Sequence, residues 1–168
     1  LIGAGGLWAF DGLNSFATLI PEVPYLYEPN NTLRLITGSM IGVSLMTMIY
    51  PPFQQLAWRD WKEQSVIPGW KAFAALALVV AIINLLVLTE QPLVLYPLAI
   101  LSGLGVLLLL TLAYALIALQ ILKRESAAEN YRALFLPVAM GFGLALLQVG
   151  AIDILRYLFT GTWSGFHL

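Results

Sequence analysis

Cysteine is absent from the 168 residues, histidine occurs once, and only 10% of the side chains are charged. Each shortage removes a class of chemistry. Without cysteine the chain holds no disulfide, no thiolate metal site and no thiol redox centre. The single histidine, His167, stands next to the C-terminal Leu168 and outside any apolar run. No imidazole is therefore available at membrane depth for haem, chlorophyll or a buried metal. A soluble domain carries about 25% charged residues, and eight basic and nine acidic side chains are too few to cover such a surface here. A net charge of −1 offers nothing to nucleic acid. Neither a cofactor nor a nucleic-acid partner is expected.

What the chain has in quantity is apolar. Hydrophobic residues make up 60% of it and the mean hydropathy is +0.87. Five apolar segments follow one another, each reaching the ~20 residues that a helix needs to cross the hydrocarbon core or exceeding them. They run over about 1–20, 32–58, 70–88, 92–122 and 131–159. The fold class expected is all-α: an integral membrane bundle of about five transmembrane helices, with the lipid bilayer as its solvent. No repeat or interdomain linker is visible, so residues 1–168 read as one transmembrane domain. The start at Leu1, inside an apolar pattern, leads us to expect a further N-terminal portion.

Prolines and glycines mark expected irregularities. Pro51-Pro52 should kink or end the second helix, and Pro137 can kink the fifth. At roughly 1.5 Å per residue the fourth segment is longer than a ~30 Å core requires. It must tilt, protrude or break, with Ser102-Gly103-Leu104-Gly105 the weakest point.

Charge asymmetry gives an orientation. Arg59, Lys62 and Lys71 flank the second connection, and Lys123, Arg124 and Arg132 flank the fourth. The first and third connections carry no Lys or Arg. By the positive-inside rule those six face the cytoplasm of a bacterial plasma membrane, and the tail TGTWSGFHL lies outside. Tyr25, Tyr27, Trp58, Trp61, Trp70, Tyr131 and Trp163 fall at expected interfaces, where they read as anchors. Arg59-Asp60-Trp61-Lys62-Glu63 and the 123–129 stretch read as solvated turns. Asn30 meets the glycosylation pattern through Thr32, but a helix N-cap at Asn31 or Thr32 is the stronger reading of that stretch.

The polar residues inside the apolar runs are the candidate site. Asp11 is followed at i+3, i+4 and i+7 by Asn14, Ser15 and Thr18, one stripe that should face other helices. With the first helix ending at Ile20, Asp11 stands near mid-membrane, where an ionised group costs at least ~2.5–3.5 kcal/mol. Arg34 is its candidate partner from the next helix, on a face shared with Gly38 and Gly42, whose GxxxG spacing permits close helix packing. Asp153 and Arg156 can pair at i+3, and Asn84 and Gln148 add two amides. The cluster Asp11, Asn14, Arg34, Asn84, Gln148, Asp153 and Arg156 is open to two readings. One is a polar cavity in the outer half of the bundle. The other is a set of ion pairs and hydrogen bonds that fixes helix register. No nucleophile–base pair, phosphate-binding loop or metal-ligand spacing is present.

The run AFDGLNSF, followed by Asn31-Thr32-Leu33-Arg34-Leu35-Ile36-Thr37-Gly38, resembles an uncharacterised family of bacterial multi-pass membrane proteins. In that family an Asp-Gly helix precedes an Asn-x-x-Arg-x-x-Thr-Gly helix. The matching positions are Asp11, Gly12, Asn31, Arg34, Thr37 and Gly38, and the resemblance covers roughly the first 45 residues. Members also carry a cysteine-rich region ahead of the Asp-Gly helix, which this chain lacks. The resemblance implies a fold segment and no activity. Two function classes lead: a non-catalytic subunit or scaffold with other membrane subunits as partners, and a small-solute transporter or channel using Asp11, Arg34, Asp153 and Arg156. An enzyme ranks third.

Overall fold

The structure is a computed structural model that describes residues 2–18 and 24–161. The chain is all-α. Five helices follow one another: α1 (Ile2–Ala17), α2 (Asn31–Ala57), α3 (Gly69–Leu88), α4 (Pro92–Ile121) and α5 (Tyr131–Thr160). Four of them, α2 to α5, are long and apolar enough to cross a membrane, and together they fit an integral membrane protein. With 16 residues α1 is shorter, about 24 Å at the helical rise. It stops before the Ile20 expected from the sequence, Thr18 forming a turn. His167, Trp163 and the rest of the tail from 162 on, like Ile20, lie outside the described residues.

Local chemistry sets the ends. The cap of α2 is Asn30, one residue earlier than expected. Its Oδ1 accepts from the backbone of Thr32 at 2.8 Å and Leu33 at 3.4 Å, which satisfies two of the orphan donors of a helix start. Asn130 caps α5 in the same way through Ala133 N at 3.2 Å. At the other end of α5, Gly161 takes the left-handed conformation (φ 69°) and its N–H closes on Tyr157 O at 2.8 Å. Pro51-Pro52 does not end α2, which continues to Ala57. The pair removes only the donors that Thr47 and Met48 carbonyls would have met. Nor does α4 break at 102–105: it is one helix over its 30 residues, with Pro97 inside. In a bilayer each break would strand backbone groups where no water can take them, which favours continuity.

The contacts divide into two compact units. One comprises Leu1–Met48 and Gln64–Leu101, the other Ile49–Glu63 and Ser102–Leu168, so α2 and α4 each run through both.

Among the described residues of the first unit every buried one is polar: Asp11, Asn14, Ser15 and Thr37. Three belong to the stripe expected on α1. Leu13, an apolar residue of α1, is 70% exposed. None of α3's 20 residues is buried.

In the second unit the core is apolar and built largely from small residues. Phe53, Ala57, Ala115, Leu119, Ala128 and Leu134 form one cluster. Pro137, Gly141 and Ala145 of α5 are buried as well. At Gly141 the backbones of α4 and α5 nearly touch: an added Cβ would stand 2.5 Å from Thr111 O and 2.7 Å from Ala115 N. The end of α2 is tied to the loop before α5 by backbone bonds from Ser126 N to Leu56 O, Ala128 N to Ala57 O and Arg59 N to Ala128 O. Arg59 pairs with Glu129, and Trp58 meets Tyr131 edge-on at 5.0 Å. These two stretches, read from the sequence as free solvated turns, thus lock to each other.

Candidate functional site

The polar stripe of α1 is held by a loop, which the sequence did not reveal. Residues 24–30 bring the backbone of Leu26 and Tyr27 against Asn14. That amide donates from Nδ2 to Tyr27 O at 2.8 Å and accepts at Oδ1 from Leu26 N (2.8 Å) and Tyr27 N (3.4 Å). The Tyr27 phenol donates to Asp11 Oδ1 at 2.5 Å. Asp11 is only 3% exposed, yet its Oδ2 accepts no hydrogen bond among the described residues. The hydrogen bond to Asp11 raises the Tyr27 pKa above its ordinary value, because ionising the phenol would lose that bond beside an acceptor. Partial burial and the charge of Asp11 act in the same direction, while Arg34 opposes them.

Asp11 therefore stands level with the connection between α1 and α2. Six residues, about 9 Å of helix, separate it from the last helical residue, Ala17. The partner expected for Asp11 differs. Arg34 makes no ion pair with Asp11. Its Nε donates to Ser15 Oγ at 3.1 Å, and its two terminal nitrogens make no hydrogen bond among the described residues. Asp11 and Arg34 nevertheless line one pocket of about 360 Å³ with Trp8, Ser15, Phe16 and Thr37. The Thr37 hydroxyl is turned to backbone carbonyls of its own helix, Leu33 O at 3.0 Å and Arg34 O at 3.3 Å. Among the described residues, the charged groups lining the pocket are one carboxylate and one guanidinium.

Asn84 belongs to the same unit but not to that pocket. Its Oδ1 lies 2.8 Å from Ser39 Oγ, which is also 2.7 Å from Leu35 O; the single hydroxyl proton serves one acceptor at a time. Asn84 Nδ2 makes no hydrogen bond among the described residues. Both side chains open on a groove of about 590 Å³ between α2 and α3. It is lined at helical spacing by positions 36, 39, 40, 43 and 44 of α2 and by Phe73, Ala77 and Val80 of α3.

Among the described residues, Gly38 and Gly42 do not make the expected close packing. A Cβ at either would meet nothing within 4 Å, and the near-contact of backbones lies at Gly141 instead. A GxxxG spacing creates a notch, but a notch packs only when a second helix presents backbone to it. The remaining candidates lie in the other unit. Gln148 Oε1 accepts from Tyr114 OH at 2.7 Å. Asp153 and Arg156 pair at 3.2 Å as i,i+3 neighbours, their side chains about half exposed. Among the described residues no three potential metal ligands converge.

Compared with family models, with curated proteins and with solved structures, the chain finds no match.

Proposed function

We propose that the chain is a non-catalytic integral membrane subunit or scaffold, one component of a larger membrane assembly. The observation that supports it best is the α2–α3 groove, apolar over its length but carrying the Asn84 amide with Nδ2 unmatched. Whichever way that amide is turned, one end is left over. Acyl chains would fill the groove and leave the amide unsatisfied. A transmembrane helix with a polar side chain can fill it and complete the hydrogen bond. The occupant we assign is such a helix from another subunit.

A photo-reactive residue at Ala77, inside the groove, tests this in native membranes. It should give one protein adduct of defined mass that disappears in an Asn84→Leu background, whereas the same probe at the lipid-exposed Leu104 of α4 should label lipid alone. Lipid-only labelling at Ala77, together with a stable monomer in mild detergent, overturns the reading. The small-solute transporter or channel reading draws support from the Asp11–Arg34 pocket. Unchanged flux for Asp11→Asn in reconstituted vesicles would sink it.

We further propose a multi-pass topology in a bacterial plasma membrane, on the charge asymmetry given above, with the second and fourth connections inside. The absence of cysteine makes labelling of single cysteines at Lys62 and Glu90 a clean test, the first expected to be protected from outside and the second reactive. Membership of the Asp-Gly family remains a proposal resting on positions 11–38.

A further inference from the structure

We propose that the pocket between α1 and the start of α2 is a binding site for a phosphoethanolamine zwitterion, with the phosphate on Arg34 and the ammonium on Asp11. Three observations converge. Arg34 lines the pocket and is held through Nε by Ser15, and the two terminal nitrogens of its guanidinium make no hydrogen bond among the described residues. That fork matches two phosphate oxygens at once. Asp11 lines the same pocket, is almost wholly buried and is fixed at Oδ1 by Tyr27, while its second oxygen accepts no hydrogen bond among the described residues. Trp8 and Phe16 supply aromatic walls on which an ammonium group is stabilised.

Charge selects the ligand class. A simple anion drawn to Arg34 meets the Asp11 carboxylate in the same 360 Å³, and a simple cation drawn to Asp11 meets the guanidinium. Each would bring a like charge against a fixed one, the repulsive half of specificity. A zwitterion satisfies both at once. Its natural depth fits too: Arg34 is the fourth residue of α2, a candidate membrane span, so the site stands at the end of that span, where headgroups lie. The inference does not depend on the subunit reading.

The full chain, purified in a maltoside detergent, would be titrated with dihexanoylphosphatidylethanolamine, dihexanoylphosphatidylglycerol and glycerophosphoethanolamine, with bound ligand counted by native mass spectrometry. Wild type should bind the ethanolamine lipid at least tenfold more tightly than the glycerol lipid. Asp11→Asn keeps an oxygen for Tyr27 but loses the charge, and should erase that preference. Arg34→Gln should weaken both lipids at least tenfold, and Arg34→Lys should recover part of the loss. Circular dichroism of each variant guards against misfolding, and Ser15→Ala offers a milder perturbation of the same arginine. If free glycerophosphoethanolamine binds as well as the lipid, the site serves a soluble headgroup; if only the lipid binds, it serves the membrane. Equal binding of the two lipids by wild type, a preference that survives Asp11→Asn, or no binding overturns the proposal.

Discussion

Among the described residues, those buried in the unit that holds α1 and α3 are Asp11, Asn14, Ser15 and Thr37; in the unit that holds α5, they are Ala, Leu, Phe, Pro and Gly with one threonine. Between helices in lipid the hydrophobic effect gives no net attraction, because acyl tails are as apolar as leucine. Two other sources of cohesion remain, hydrogen bonds and close packing of small residues, and each unit uses mainly one. Where Gly141 meets α4, backbones approach until no side chain fits between them. Around the polar stripe, a loop supplies its own backbone and a phenol to side chains of α1. The first arrangement resists separation by contact area. The second resists by bonds that a single atom can remove, and it leaves polar groups over for a ligand.

The sharpest way to break this contrast is a methyl group at each kind of glycine. Gly141→Ala puts a Cβ against backbone atoms of Thr111 and Ala115 that cannot swing aside. The cost should be about 3 kcal/mol, the upper end of overpacking, read as a lowered unfolding midpoint in detergent titration. Gly42→Ala meets open space within the chain and should be neutral or raise stability by up to about 1 kcal/mol, since alanine favours helix. Equal losses at the two positions would remove the distinction between a packed seam and an open notch.

Next in size is Asn14→Ala. It strips three hydrogen bonds from the loop at once and should cost about 2 kcal/mol, within the range for unsatisfied groups. Hydrogen exchange should show the loss locally, in the amides of Leu26 and Tyr27, with α5 unaffected. Protection unchanged at those amides would mean that the loop is held by something other than the stripe.

How far the sequence discloses this differs between the units. Asp11, Asn14 and Ser15 are legible as an inward face, because polar residues inside an apolar helix are costly and the helical period fixes which side they share. The partner of Asp11 is not legible. Tyr27 comes from a loop, where no period determines the direction of a side chain, and an arginine on the next helix is the obvious charge complement. Gly38-x-x-x-Gly42 and Gly141-x-x-x-Ala145 look alike as strings, yet only the second is faced by a small-residue row, Thr111 and Ala115. Which notch is filled depends on the opposing helix, and a spacing rule reads one helix at a time. The lock between 56–59 and 126–129 is hidden for a similar reason: charged turns read as solvated unless their backbone pairing is known.

Two hydrogen bonds between uncharged side chains of neighbouring helices, one in each unit, sharpen the comparison. Ser39→Ala removes the contact with Asn84, and Tyr114→Phe removes the contact with Gln148. Each should cost about 0.6 kcal/mol, the mean for interhelical hydrogen bonds in membranes. Equal small losses in thermal unfolding would show that a polar contact contributes alike in either setting, so that the units differ in how many such contacts they hold. A loss several times larger at Ser39 would instead mark the α2–α3 contact as the pivot of its unit.

The smallest change, and the most specific, is expected from pH. Because the bond to Asp11 raises the folded-state pKa of Tyr27 above its ordinary value near 10, the phenol contributes stability that is fully present below about pH 10. As pH rises further the unfolded chain ionises first, and the contribution disappears as pH passes through the folded value. Wild type should therefore show a tyrosine absorbance change above the ordinary phenol range, with protection of the 24–30 loop falling over the same interval. Tyr27→Phe should delete both signals and leave the rest of the alkaline profile in place. If the late titration persists in Tyr27→Phe, it belongs to another phenol. The loop would then depend on Asn14 alone, and the first unit would be held by backbone capture without the phenol–carboxylate pair.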